Sequence, residues 1–237
     1  MKNLKLNAAI LGVALALAAT SVSQAVPTIR ISDGFTTVTV SDNLVGDASA
    51  QAGFVSYTAA PGTFAGWSVI LSAGTTKPII GSATAPELDL NWSITRTAGA
   101  GVGTLTVLFS ENGFNLATAA GAVTASGGTL GTSAANSATI RTFYAANNVE
   151  LNQASLITSQ VFTGPGAFSQ NTFGAVPADP TVSFTVRLDL VQNGGTSSQI
   201  TSGDIHLFVN APEGGSMVTL LGTALLALGA FAARRKA

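Results

Sequence analysis

The feature that most constrains the fold is the alternation of apolar and polar residues over 181–190 in TVSFTVRLDLVQ, residues 181–192. The residues at 182, 184, 186, 188 and 190 are all apolar, and their neighbours are Thr, Ser, Arg and Asp. Successive side chains of a β-strand point to opposite faces, so this pattern places every apolar side chain on one face. The segment is therefore predicted to be a half-buried strand.

Other segments of the central region repeat this signal. PELDLNWSIT (86–95) alternates in the same way, and six further stretches carry Thr, Val, Ile and aromatic residues between Gly, Asn, Asp or Pro: 33–42, 66–74, 102–114, 137–145, 156–164 and 203–210. Strands with one wet face are typical of antiparallel sheets. We expect an all-β domain over residues 26–210, an antiparallel, jelly-roll-like β-sandwich of about eight to twelve strands.

Two segments of the central region lack this pattern. AVTASGGTLGTSAANSA (122–138) is small and polar, which favours a loop or a weak edge hairpin. Residues 148–154 are expected to form a short turn of helix.

Composition excludes several classes of function. The chain of 237 residues has no Cys, which rules out disulfides, thiolate metal sites and a Cys nucleophile. Residues 26–211 contain 5 basic and 10 acidic residues, so their net charge is 5 minus 10, or -5. A nucleic-acid partner would favour the opposite sign, and none is expected. No cofactor or metal site is predicted.

The first 25 residues, MKNLKLNAAILGVALALAATSVSQA, have the three parts of a secretory signal. Lys2 and Lys5 form the basic region, an apolar region covers 8–19, and Ser23 and Ala25 give the small-x-small pattern that signal peptidase reads. A signal helix cleaved after Ala25 by the general secretion machinery is predicted. A retained membrane helix or a buried core helix is the alternative.

The last 27 residues have three parts of their own. A short polar motif comprises Pro212, Glu213, Gly214, Gly215 and Ser216. An apolar run at 217–233 follows, which is just long enough for a transmembrane helix. The basic residues Arg234, Arg235 and Lys236 close the chain and favour the cytoplasmic side of the membrane. With the export signal, this arrangement places the β-domain outside an inner-membrane anchor.

This tail, residues 211–237, resembles the PEP-CTERM group of bacterial sorting signals, and more closely its VPDSG variant. Pro212, Glu213, Gly215 and Ser216 match the motifs, whereas Ala211 replaces Val and Gly214 departs from both forms. The resemblance implies a transient inner-membrane anchor in a Gram-negative bacterium, recognised and cut near the motif by an exosortase. The central region is also similar to an uncharacterised domain of such proteins, and this similarity implies association with exopolysaccharide or biofilm matrix.

Two groups of polar residues are candidate chemical sites. His206, the only histidine, is expected on the outer face of its strand beside Asp204, as an ordinary exposed residue. Glu87, Asp89 and Asn91 share one strand face. They form either a solvated face or a stripe that could bind an ion or a sugar.

Loop acids and aromatic residues are the other candidates. Asp42, Asn43 and Asp47, with Asp33 nearby, could supply oxygen ligands for calcium, although Asp and Asn are also ordinary turn formers. Trp67 and Trp92 fall on apolar faces and are expected in the core. Tyr57 and Tyr144 are candidate surface contacts with a sugar.

The sequence thus predicts a non-catalytic protein of the cell surface or the extracellular matrix, with exopolysaccharide as a candidate partner. A carbohydrate-binding module is the alternative. A matrix-remodelling glycosidase is the third hypothesis, and it would need two carboxylates in one groove, for example Glu87 or Glu111 with a partner.

Overall fold

The computed structural model describes residues 25–210, apart from the side chain of Leu71. Twelve β-strands fill this range: Thr28–Ser32 (β1), Thr37–Ser41 (β2), Phe54–Tyr57 (β3), Trp67–Thr75 (β4), Glu87–Arg96 (β5), Val102–Leu116 (β6), Ala120–Leu130 (β7), Ser137–Ala145 (β8), Ser155–Thr163 (β9), Gly166–Val176 (β10), Asp179–Asn193 (β11) and Gln199–Asn210 (β12). All paired strands are antiparallel. The all-β prediction is therefore confirmed for the described residues.

The strands form two six-stranded sheets. The first sheet has the order β2-β1-β6-β11-β8-β9, and the second has the order β10-β7-β12-β5-β4-β3. Consecutive strands from β5 to β8 alternate between the sheets, and β9 and β10 form their adjacent edges. Strands β5 to β12 thus have the strand order of a jelly roll, and β1 to β4 extend both sheets.

The core lies between the two sheets because alternation directs one apolar face of each sheet inward. Leu88, Leu90, Trp92 and Ile94 of β5 are at most 2% exposed. They pack in one cluster with apolar residues of β6, β11 and β12. At two points a glycine permits the close approach of a ring: Phe109 lies against Gly74, and Trp92 lies against Gly203. A side chain at either glycine would displace the ring.

The predictions for the two segments that lack alternation have different outcomes. Residues 122–130 of the expected loop or edge hairpin belong to β7, which lies between β10 and β12, whereas residues 131–136 connect β7 to β8 without strand structure. The helical turn expected at 148–154 is wrong, because these residues contain turns and no helix. Two inward side chains of β7 are polar: the hydroxyl of Thr124 lies 2.7 Å from that of Thr158, and Ser126 donates to Gln160. A buried hydrogen-bond network replaces apolar packing there.

The segments predicted at the two chain ends lie almost entirely outside the described range. The predicted signal helix, the sorting motif 212–216, the transmembrane helix and the basic tail 234–236 lie beyond residues 25–210, except for Ala25 itself. Within residues 25–210, no helix has the length and apolar character needed to cross a membrane.

Candidate functional site

The outer face of the second sheet brings together most of the polar residues that the sequence singled out. On β12, Ile205, Leu207 and Val209 are at most 1% exposed and point inward. Asp204, His206 and Phe208 therefore face outward, as predicted for His206. Strand pairing sets His206 opposite Asp89, Phe208 opposite Glu87 and Asp204 opposite Asn91. The predicted stripe on β5 thus continues onto the neighbouring strand.

A groove runs along this face because β7 carries small outward side chains. Its floor is Val123, Ala125 and Gly127. One wall consists of Phe208, His206 and Asp204 on β12, and the other of Phe173, Asn171 and Ser169 on β10. The walls are two strand spacings apart, or about 9.6 Å. We call this feature the β7 groove.

The β7 groove places aromatic and polar groups side by side. Phe173 is 76% exposed and stands across Val123 from Phe208. The rings of Phe208 and His206 have centroids 5.6 Å apart. The next two pairs along the groove are polar: Asn171 across from His206, and Ser169 across from Asp204. The groove therefore offers an apolar patch at one end and hydrogen-bonding groups along the rest.

Two polar atoms beside the groove lack a hydrogen-bond partner among the described residues. They are Oδ1 of Asp89 and Nε2 of His206. The other Asp89 oxygen accepts a hydrogen bond from the Asn91 side-chain amide at 3.2 Å, and Nε2 of His206 lies 3.8 Å from a carboxylate oxygen of Glu87. Unpaired polar groups that are shielded from water are unusual in folded proteins. Because both atoms are shielded from solvent, a ligand could reach them only after their side chains rotate.

Burial raises the pKa of Asp89 above its ordinary value. His206 and the Asn91 amide counteract this effect, and the nearby carboxylate of Asp204 adds to it. No Lys or Arg occupies the walls or floor of the groove, so Asp204 in the groove and Glu87 and Asp89 on the adjoining strand β5 give this face negative charge. Such a surface repels acidic ligands and admits neutral ones.

Glu111, the other carboxylate suggested for a glycosidase, lies in a different part of the molecule. Its side chain is fully buried, and it forms an ion pair with Lys77 at 2.9 Å and accepts a hydrogen bond from Thr76 at 2.6 Å. Burial raises the pKa of Glu111 and lowers that of Lys77. Lys77 also lies 3.7 Å from the centroid of the Phe114 ring. Glu111 thus stabilises the interior and does not face the groove with Glu87.

The loop acids considered for calcium bind backbone amides instead. Asp47 accepts hydrogen bonds from the N–H groups of Asn43, Ser49 and Ser56 at 2.9–3.0 Å, and Asp42 accepts one from Gly53 at 2.8 Å. Burial alone would raise the pKa of Asp33, but N–H groups from its own turn and from Ala65 lower it. No group of three or more His, Cys, Asp or Glu that could hold a metal ion occurs in residues 25–210.

The Trp residues lie where the sequence predicts them, whereas the Tyr residues do not lie on the β7 groove. Trp67 and Trp92 are 5% and 2% exposed, which confirms their place in the core. Tyr57 and Tyr144 are partly buried and pack against that core, and neither lies on the β7 groove. The aromatic residues that do flank the groove are Phe173 and Phe208. In GDIHLFVN, alternation puts Phe208 on the same strand face as His206, so the sequence held the signal that could have identified it. No such signal was recognised in the sequence of β10.

Comparisons with known proteins yielded structural similarities only. No protein-family model matches the chain, and no curated protein does. The adhesin domain of Lys-gingipain from Porphyromonas gingivalis W83 aligns at 12% identity over 67% of this chain and 98% of that chain, with a TM-score of 0.35. TmCBM61 in complex with β-1,4-galactotriose aligns at 7% identity over 61% and 88%, with a TM-score of 0.32.

An arabinose-bound α-L-arabinofuranosidase, MgGH51, aligns at 12% identity over 73% of this chain but only 26% of that chain, with a TM-score of 0.29. All three TM-scores lie below 0.5. These similarities therefore do not bear on what the chain binds, and the functional assignment depends on the chain's own residues.

Proposed function

We propose that the protein is an exported, exosortase-processed, non-catalytic protein of the cell surface or extracellular matrix in a Gram-negative bacterium. The support is the order of segments: a secretory signal ending at Ala25, a β-sandwich, and a tail with the sorting motif 212–216 and the basic residues 234–236. Signal peptidase and the exosortase would act on it in turn, with a transient stay in the inner membrane.

The termini of the mature protein test this part of the proposal. Mass spectrometry of the protein recovered from the cell surface or medium should find an N-terminus at Val26 and a C-terminus between Pro212 and Ser216. A recovered chain that still begins at Met1, or still ends at Ala237, would contradict the assignment of that terminus.

The proposed role of the protein at its destination is to hold a polysaccharide in the β7 groove. The observation that carries this role is the combination of an aromatic end, formed by Phe173 and Phe208, with a polar length, formed by Asp204, His206 and Asn171. The apolar face of a sugar ring packs against aromatic side chains, while its hydroxyl groups hydrogen-bond to carboxylates and amides. The proposal takes up the carbohydrate-binding alternative of the sequence and assigns it to these residues.

Charge and shape restrict the ligand of the groove. Because Glu87, Asp89 and Asp204 give the site negative charge, the preferred ligand is a neutral glycan. The groove is open along the strand direction, so it admits an internal stretch of a chain as readily as an end. Its floor extends over the rows from Val123 to Gly127, a length of about 13 Å.

Hydrolysis is the competing activity for the same face. Asp89 and Asp204 are diagonal neighbours on paired strands, which separates such positions by about 7–8 Å, a spacing that inverting glycosidases also use for their carboxylates. We propose binding without hydrolysis because the groove lies on an open sheet face, where none of residues 25–210 encloses the reacting bond and excludes water.

A glycan array followed by a reducing-end assay tests this role. The purified full-length chain should bind neutral glycans, and Asp204→Asn together with Asn171→Ala should weaken that binding without changing the unfolding transition. Arg30→Gln, a substitution on the opposite sheet, is the matched control and should leave it unchanged. New reducing ends that vanish in Asp89→Asn would replace the proposal with a glycosidase.

A further inference from the structure

Three arginines form a single row across the outer face of the first sheet. Arg30 of β1 is paired with Leu108 of β6, Leu108 is paired with Arg187 of β11, and Arg187 is paired with Arg141 of β8. Their backbones therefore lie on one line perpendicular to the strands. Arg141 is one strand spacing from Arg187, about 4.8 Å, and Arg30 is two spacings away on the other side, about 9.6 Å.

The row contains the basic residues of 25–210 that face outward. The two other basic residues in 25–210 are turned to internal contacts: Arg96 is 7% exposed and donates to the carbonyls of Ala65 and Gly101, and Lys77 is paired with buried Glu111. The carboxylates of the groove lie on the opposite sheet. A domain that is acidic as a whole thus has one face where positive charge dominates.

The row is only partly neutralised by the protein. Asp189 accepts hydrogen bonds from Arg187 at 2.7 and 2.9 Å and from Arg141 at 3.0 Å, and Gln153 accepts another from Arg187 at 2.7 Å. Arg30 contacts the Thr39 hydroxyl at 3.3 Å through Nε alone. One carboxylate against three guanidinium groups leaves a charge of about +2, with Arg30 and one edge of Arg141 open to a ligand.

The surroundings of the row determine which kind of anion fits. Hydroxyl residues flank it: Thr39 and Ser159 in the same row, and Thr106 and Thr139 in the next. The exposed Val161 of the edge strand β9 lies beside Thr139. Of the two aromatic residues of β8, Phe143 is only 8% exposed and Tyr144 packs against the core. Protein interfaces are rich in exposed aromatic residues, and surfaces for single-stranded nucleic acid stack bases on them, so this face resembles neither.

We propose that the arginine row is a second binding face, which takes an acidic polysaccharide through its carboxylate or sulfate groups. Arginine binds planar and tetrahedral oxyanions in two-point contacts, and the row spaces its guanidinium groups on the scale of one to two sugar units. Anion binding follows from the row itself, whereas the choice of a polysaccharide rests on the proposed function. The protein would then hold a neutral glycan on one sheet and an acidic one on the other.

Polygalacturonate and its methyl ester provide a matched test, because they share one backbone and differ in charge. The full-length chain should bind polygalacturonate, bind the methyl ester much more weakly, and lose affinity as salt is added. Arg30→Gln should weaken binding about two- to fivefold, and Arg30→Gln with Arg141→Gln by about the product of two such factors.

A substitution that should strengthen binding distinguishes an effect of charge from an effect of misfolding. Asp189→Asn removes the internal carboxylate and should strengthen polygalacturonate binding, which a misfolded variant cannot do. Asp204→Asn in the β7 groove should not weaken polygalacturonate binding. The proposal for the arginine row can therefore fail while that for the β7 groove stands, and the reverse. Equal affinity for the two polymers, indifference to Arg30→Gln, or a preference for single-stranded DNA would overturn the proposal. Arg30-dependent self-association without polymer binding would overturn it as well.

Discussion

Filling the floor of the β7 groove should weaken glycan binding without destabilising the protein. At Gly127 an added Cβ would lie 3.7 Å from an Asp204 carboxylate oxygen and 3.7 Å from the Phe168 carbonyl, which are ordinary contacts. Gly127→Ile is therefore accommodated, and replacing a strand glycine should add about 0.5–1 kcal/mol of stability. The remaining atoms of the isoleucine project into the groove beside Asp204 and Ser169, one residue pair away from Asn171.

The expected loss of binding follows from the contacts that this side chain blocks. A glycan lifted off the floor would lose hydrogen bonds to Asp204 and Asn171, each worth about 0.5–1.5 kcal/mol. Together they amount to about 1–3 kcal/mol, or about 5- to 150-fold in the dissociation constant. Isothermal titration calorimetry with the best glycan of the array measures this change, and urea unfolding measures the stability.

Gly101→Ile is the matched control, because Gly101 lies in a loop with nothing within 4 Å of an added Cβ. It introduces the same side chain away from the groove and should leave affinity unchanged. Wild-type affinity in Gly127→Ile, with the fold intact, would refute the placement of the glycan on β7.

Three further predictions concern the stability of the sandwich. Lys77→Met should lower the free energy of unfolding by about 3–5 kcal/mol, because it leaves Glu111 buried without its cation. The double variant with Glu111→Leu should recover part of this loss, and urea unfolding measures both. Gly74→Ala should cost about 1–3 kcal/mol by forcing the Phe109 ring aside, and its thermal midpoint should fall accordingly. Burial raises the pKa of Glu111 and of Glu150 above 4.5, so the folded state keeps protons that the unfolded state releases. Their contribution to stability should therefore decrease as pH rises from 4.5 through the raised folded values, and unfolding curves of Glu111→Gln should show a shallower decrease.

Alternation of side chains was sufficient to predict the sandwich and its core. The pattern in 181–192 and 86–95 identified β11 and β5, and it also placed Trp92 inward and His206 outward. These are local consequences of the two-residue period, which does not depend on strand partners. The same period is present in β7, but its inward residues are Ala, Thr and Ser, and their burial depends on hydrogen bonds to Thr158 and Gln160.

The groove and the arginine row depend on strand partners and were not predictable from one segment. Val123 meets Phe208 only because β7 is paired with β12 more than eighty residues later. Arg30, Arg187 and Arg141 come from three distant strands and share a line only through register. A shift of one residue in either pairing would turn these side chains to the other face, so long-range register is the missing information.

Incubating the wild-type protein with the neutral exopolysaccharide of its own matrix tests the central claim most directly, provided that bound polymer and reducing ends are measured in the same sample. A non-catalytic binding protein should retain the polymer at equilibrium, retain less of it in Gly127→Ile and leave the chain length unchanged. Absence of binding, or shortening of the polymer over time, would contradict the account.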